Sequence, residues 1–231
     1  MRNFIFPIIT ITLFIASCQQ PKQEMPTAYA PQQTEPMEIT LFETISLQQP
    51  DTESGDALMK TFLKRKSDRE FASTGISLKH LSEILWAAYG VNREDGKRTV
   101  PSAVALYPLK VYAFLEKGIY LYDPAKHELQ PVVEGDYREL AGLQPFVGSA
   151  PLNLVFVADY TKYQGNRPMP QEKWLYLASL DAGHCTQNVY LYCASEELKA
   201  VVRAGAQEEK ILELLNLQEN HQFIVAQTIG Y

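Results

Sequence analysis

The stretch from Glu172 to Ala194 constrains this chain more than any other. It has helical spacing and carries apolar residues on nearly every face, among them Trp174, Leu177, Leu180, Cys185, Val189 and Leu191. A helix of that kind has no face to offer water, so it is expected to be mostly buried, with other elements packed around it. The polar residues inside it, Asp181, His184, Thr186, Gln187 and Asn188, then need partners, because burying a polar group without one costs free energy. A second apolar run, Leu152 to Ala158, reads as a strand covered on both faces. Together these point to an α+β domain, in which helices flank a mixed or mostly antiparallel central sheet and one long helix lies in the core.

The shorter elements follow from local patterns. Asp56 to Lys66 reads as a short helix, with Leu58/Phe62 and Met59/Leu63 each four apart. Ser77 is placed as an N-cap before Leu78, Leu81, Leu85 and Ala88, and Gly90 as the stop. Lys110–Leu115 and Ile119–Tyr122 read as strands around a turn at Glu116-Lys117-Gly118. Leu198–Val202 reads as a short strand, Gln207–Leu217 as an amphipathic helix and Gln222–Ile229 as the last strand.

The chain has 231 residues, 46% of them apolar, so it can fill one sizeable core. With 21 basic and 27 acidic residues its formal net charge is -6, a poor balance for a nucleic-acid partner, which needs clustered Lys and Arg. Its first residues read as an address. Arg2 is followed by an apolar run from Phe4 to Ala16, and then Ile15-Ala16-Ser17-Cys18 places small residues just before a cysteine. This resembles a bacterial lipoprotein signal, with cleavage after residue 17 and acylation of Cys18; the run is too short to cross a ~30 Å hydrocarbon core. Losing Arg2 would take the net charge from -6 to -7. Residues 18–37, with Pro21, Pro26, Pro31 and Pro36 among Gln, Thr and Ala, read as a lipidated cysteine and an extended tether. That leaves residues 38–231 as the domain, exported and held at a membrane through its lipid, facing the periplasm or the cell exterior.

Several chemistries lack their signatures. No two glycines are two residues apart, so neither G-x-G-x-x-G nor a Walker loop is present. The four His (80, 127, 184 and 221) have no ligand-like spacing, and no metal site is expected. His184-Cys185 are adjacent on a helix and point about 100° apart, so they do not form a catalytic pair. Cys185 and Cys193 read as small buried apolar residues, since eight helical residues separate them by about 12 Å, beyond disulfide reach.

Three segments carry candidate chemistry. Arg65-Lys66-Ser67-Asp68-Arg69 sets three cations and a hydroxyl at a helix end, a donor set suited to phosphate; equally, basic residues there complement a helix dipole. Val100 to Pro108, with small residues between fixed-φ prolines, lets backbone approach a flat ligand, or simply leads a loop into a strand. Asp181 to Asn188 is the polar portion of the long helix.

Taken in order, these segments resemble the nitroreductase-like flavoproteins, and among them the branch of SagB-type thiazoline/oxazoline dehydrogenases. Arg65-Lys66-Ser67-Asp68-Arg69 stands where that family has Arg-Arg-Ser-x-Arg, and Pro101-Ser102-Ala103-Val104-Ala105-Leu106-Tyr107-Pro108 where it has Pro-Ser-Ala-Gly-Ala-Leu-Tyr-Pro. Gly118 to Tyr122, Ala150-Pro151, Ala182-Gly183-His184 with Gln187-Asn188, and Ile229-Gly230-Tyr231 continue the match over about residues 56–231. The resemblance implies an FMN cofactor, a homodimer with two sites at the subunit interface, and hydride transfer through flavin in a ping-pong cycle. It implies that Arg65, Lys66, Ser67 and Arg69 hold the phosphate and ribityl chain, and that Pro101, Ser102 and Ala103 lie against the isoalloxazine. Gln144 and Gln187 stand near the flavin, and the amides of Ala204-Gly205 near its N5. Lys162 and Tyr163 match a Lys-Tyr pair proposed for acid–base work, with a longer spacing to Gly183-His184 than the family has. Val104 replaces a family glycine, and Ser195-Glu196-Glu197 replaces a Leu-Gly turn. An exported domain does not meet the cytosolic NAD(P)H pool, which favours a small-molecule or peptide substrate, or a partner supplying electrons. The other reading is a non-catalytic anchored lipoprotein that binds flavin or another small ligand.

Overall fold

The structure, a computed structural model, describes residues 35–165, 168–217 and 219–231. The signal residues 1–17, Cys18 and the tether up to residue 34 lie outside the described residues. In chain order the elements are β1 (Ile45–Ser46), α1 (Leu58–Lys64), α2 (Leu78–Tyr89), β2 (Leu109–Leu115), β3 (Gly118–Asp123), β4 (Glu128–Glu134), α3 (Phe146–Ser149), β5 (Leu152–Asp159), α4 (Trp174–Ser195), β6 (Lys199–Arg203), α5 (Glu208–Leu214) and β7 (His221–Gly230).

The strands form one seven-stranded sheet in the order β1-β4-β3-β2-β5-β7-β6. Its pairings are all antiparallel, which narrows the mixed-or-antiparallel expectation to one alternative. β5 is the apolar run read as a central strand, and it pairs with β2 on one side and β7 on the other. Both its faces are covered: Leu152, Leu154, Phe156 and Ala158 join one hydrophobic cluster, Val155 and Val157 the other. The first cluster packs α2 and α4 against the sheet; the second packs Val147 of α3 and Ile211 of α5 against the opposite face. β5 is therefore apolar at consecutive positions, with neither alternating face meeting water.

α2 matches its sequence signals. Ser77 caps it by accepting the His80 N–H at 3.1 Å, and Leu81, Ile84, Leu85 and Ala88 are fully buried. α4 starts at Trp174, after a 3-10 turn over Gln171–Lys173, and runs 22 residues. It is not buried all round. Ala178, Ala182, Cys185, Val189 and Cys193 face the core, while Leu175, Tyr176, Leu180, Gly183, His184 and Gln187 form an exposed stripe. Cys185 and Cys193 are buried, unbridged thiols, and burial pushes both pKa values up. In α1, Thr61 faces inward, and the apolar residues whose four-residue spacing marked the helix, Leu58, Met59, Phe62 and Leu63, are exposed.

Candidate functional site

The long helix organises the expected site residues at two levels. At the level of Tyr190, Ser67 Oγ lies 2.8 Å from the Tyr190 hydroxyl, which also accepts the Val202 N–H at 2.8 Å. The Arg65 guanidinium stacks over the same ring, 5.2 Å from its centroid. The Asp68 N–H is tied to the Ala200 carbonyl at 3.0 Å, which docks the segment on β6. Lys66 turns to Asp68, with Nζ 3.0 Å from its carboxylate. Among the described residues, neither Arg65 nor Arg69 has a carboxylate within ion-pair distance. In a chain with 27 acids, Arg65 and Arg69 stand two residues either side of the Ser67 hydroxyl in the sequence, both without an acid among the described residues, and guanidinium groups are the donors that suit an anion. A cavity of about 300 Å³ adjoins this segment, lined by Lys64, Lys66, Asp68, Tyr190 and Lys199.

The second level is Asp181. This carboxyl is buried, and burial raises its pKa while the Ser102 hydrogen bond and His184 pull it down. Ser102 Oγ donates to Asp181 at 2.6 Å and accepts the Tyr107 N–H at 3.0 Å. A hydroxyl has one proton and two lone pairs, so Ser102 is left one acceptor position. The loop it anchors is strained: Val104, Ala105 and Tyr107 have φ of 43°, 56° and 48°. Left-handed backbone is where glycine sits freely and a β-branched residue does not, which accounts physically for the glycine that Val104 replaces. Arg98 clamps the loop's far end, its guanidinium 3.8 Å from the Tyr89 ring centre and 4.8 Å from that of Tyr107.

Tyr163 is buried against Tyr160 and Trp174, with ring centres 6.0 and 6.2 Å away. Among the described residues its hydroxyl has no hydrogen-bond partner, and burial, with the Asp181 charge adding to it, pushes its pKa well up. Lys162 beside it is exposed. Gln144, Ala204 and Gly205 are exposed at a third place. There a Cβ on Gly205 would stand 3.4 Å from the Leu143 side chain, and the Gln207 N–H donates to the Leu140 carbonyl at 3.0 Å. Gln187 lies on the open stripe of α4 between the Asp181 and Tyr190 levels.

Within one chain the structure thus brings Arg65 and Ser67 together, Leu143-Gln144 and Ala204-Gly205 together, and Ser102 with Asp181. It does not join the first group to the last. Asp181 and Tyr190 are nine helical residues apart, about 13 Å along the axis. Among the described residues no hydrogen bond or ion pair links Arg65–Arg69 to Pro101–Ala103. Sequence reasoning missed Tyr190 and Arg203 as supports of these segments. Their partners lie far away in the chain, and neither belongs to a local motif. No group of His, Cys, Asp or Glu able to hold a metal ion occurs among the described residues.

Comparison with known proteins settles the family. The nitroreductase family profile matches residues 63–231. A Methanocaldococcus jannaschii protein assigned to the nitroreductases is 36% identical over 190 residues, 77% of this chain and 92% of that one. A crystal structure from Ralstonia eutropha, also assigned to the nitroreductases, is 43% identical with a TM-score of 0.77, covering 85% of this chain and 93% of that one. The NADPH:FMN oxidoreductase of Vibrio harveyi, solved with NAD+, shares the fold at 21% identity and a TM-score of 0.56, over 75% of this chain and 68% of that one. The chain belongs to the nitroreductase family, whose members are generally flavin-dependent oxidoreductases.

Proposed function

We propose that this protein is an FMN-dependent oxidoreductase that works as a homodimer anchored to a membrane through Cys18. The observation that carries the cofactor assignment is Arg65 stacked beside a hydroxyl fixed by Tyr190, with Arg69 two residues further along the chain and neither arginine paired with a carboxylate among the described residues. That donor set fits a phosphate dianion, so the residues present fit FMN. Bound flavin would supply two-electron transfer, accepting a hydride from one substrate and giving it to another in a ping-pong cycle. The protein's own contributions are distinct. Arg65, Ser67 and Arg69 hold the phosphate end, while Lys66 adds charge beside it. Pro101, Ser102 and Ala103, braced by Asp181, present a flat wall and one acceptor. The backbone of Ala204-Gly205, with Gln144, lines the opposite edge. The resemblance offers Lys162 and Tyr163 for acid–base work; of the two, Lys162 is exposed, while Tyr163 is buried with its pKa pushed up.

The separation of the Arg65 and Ser102 levels supports a site built across two chains. The exposed stripe of α4, with Leu180 44% exposed and Gly183 presenting open space at its centre, is the surface that a second copy would cover. Relatives of this fold are often dimers, which supports the same reading. The SagB-type assignment rests on the run of motifs from Arg65–Arg69 and Pro101–Pro108 to Ile229–Tyr231, from which Lys162-Tyr163 departs in spacing, and the export signal favours a small-molecule or peptide substrate over NAD(P)H as the physiological donor. One observation favours the non-catalytic reading: Val104 stands 53% exposed on the loop where the family has no side chain. Stopped-flow mixing of the FMN-loaded protein with candidate donors separates the two, since a flavin that no donor reduces leaves a binding protein. Arg65→Ala tests the cofactor assignment. Losing a charged hydrogen bond of about 1.5–3 kcal/mol weakens FMN binding about tenfold or more. Unchanged affinity would place the phosphate elsewhere.

A further inference from the structure

Arg203 is the last residue of β6, immediately before Ala204-Gly205, and it is buried. Its guanidinium donates to the Ala141 carbonyl at 2.6 Å and to Asn153 Oδ1 at 3.2 Å, and also to Thr228 Oγ1. Among the described residues Nε has no partner, and the Phe146 ring centre lies 6.0 Å away. These acceptors are neutral, and among the described residues no carboxylate stands within ion-pair distance. The guanidinium passes over Gly142 so closely that a Cβ there would fall 1.7 Å from its Nη1. Gly142 starts the Gly142-Leu143-Gln144 turn. Arg203 therefore bridges the two backbone segments that the FMN reading sets at one edge of the flavin.

Two features separate this residue from an ordinary structural arginine. A buried cation without a counter-charge costs several kcal/mol of solvation free energy. A neutral amide could satisfy carbonyl and amide acceptors without that cost, so the fold has no need of the charge itself. Burial alone pulls its pKa down, to about 10, and it remains charged at neutral pH. We infer that Arg203 is a positioning residue carrying a fixed positive charge behind Leu143-Gln144 and Ala204-Gly205, which favours the negative charge that two-electron reduction places on FMN. This inference rests on the FMN reading above. In a low-dielectric setting such a charge is worth more than the same charge at the surface.

The test compares charge with shape. Arg203→Lys keeps the charge and loses the fork. Arg203→Gln keeps a donor and loses the charge. Asn153→Asp leaves the arginine in place and sets a carboxylate against it, at the loss of the bond from Asn153 Nδ2 to the Val147 carbonyl. Thermal melts of the FMN-free proteins identify any variant that fails to fold, and Asn153→Asp keeps the comparison alive if Arg203→Gln does. The readout is the midpoint potential of bound FMN. Arg203→Gln and Asn153→Asp should lower it by at least the ~30 mV that a tenfold change in reduced-to-oxidised affinity represents. Arg203→Lys should stay near the parent value. Neutralised variants at the parent potential, or a Lys variant shifted as far as the Gln variant, would overturn the role of the charge. A parent protein that takes up no FMN would overturn the FMN reading and the inference with it.

Discussion

Gly142→Ala is a sharp test of how the interior of this domain is arranged. The backbone at Gly142 is extended (φ -175°), so alanine adds no dihedral strain and the whole effect comes from its Cβ. That carbon would sit 1.7 Å from Arg203 Nη1 and 2.7 Å from Val147 Cγ2. Neither neighbour has room to give, since Val147 is fully buried and the guanidinium is held by Ala141, Asn153 and Thr228. Overpacking of a core costs about 1–3 kcal/mol. Displacing Arg203 removes at least one charged hydrogen bond, another ~1.5–3 kcal/mol. The sum is roughly 2.5–6 kcal/mol, and at about 2–4 °C per kcal/mol for a domain of this size the melting temperature should fall by roughly 5–24 °C. Urea unfolding followed by circular dichroism measures it. Residues in direct contact are not additive, so Arg203→Gln combined with Gly142→Ala should cost less than the two separate losses together. A loss below ~1 kcal/mol for Gly142→Ala, or strict additivity in the double variant, would refute the packing of Arg203 over Gly142.

Ser102→Ala leaves the buried Asp181 carboxyl without its hydroxyl donor and frees the Tyr107 N–H, so stability should fall by about 1.5–3 kcal/mol in urea titrations. His127 gives a pH dependence. Its Nε2 lies 2.7 Å from the Gln48 carbonyl and its Nδ1 2.9 Å from the Tyr122 hydroxyl, an arrangement that suits the neutral ring. Burial lowers its pKa below 6.5 in the folded state, and the Gln48 bond only partly offsets this. Between the folded and unfolded pKa values the unfolded chain binds more protons. The contribution is therefore full above about pH 6.5 and is lost as pH falls, and His127→Gln should flatten that acid limb of the unfolding free energy. Leu180→Glu places a charge on the exposed stripe of α4 and should convert a dimer to monomer in light scattering, with the monomer still folded.

The sequence disclosed most where one local rule decided the outcome. Ser77 and the 3.6-residue spacing located α2, and the unbroken apolar run located β5. β4 was missed because Pro131 lies inside it. A proline argues against a strand interior, and here it is tolerated where the pairing with β3 shifts register between Ile119 and Tyr120. The outward face of α4 was read as buried, and the apolar pairs of α1 marked a helix without marking its face, because apolar spacing does not say what covers a residue. In one chain Leu63 is 87% exposed. The Arg65–Arg69 and Pro101–Pro108 segments were visible as motifs. Their supports were not, since Tyr190, Asp181 and Arg203 act through partners 12 to 123 residues away.

The most direct test of the account is the flavin itself. The purified protein is saturated with FMN, freed of excess, denatured, and its released flavin measured by absorbance against protein concentration. The account predicts one FMN per chain, released by the parent and largely lost from the Arg65→Ala, Arg69→Ala double variant at the same concentration. A folded protein that retains no FMN, or a double variant that retains as much as the parent, would contradict it.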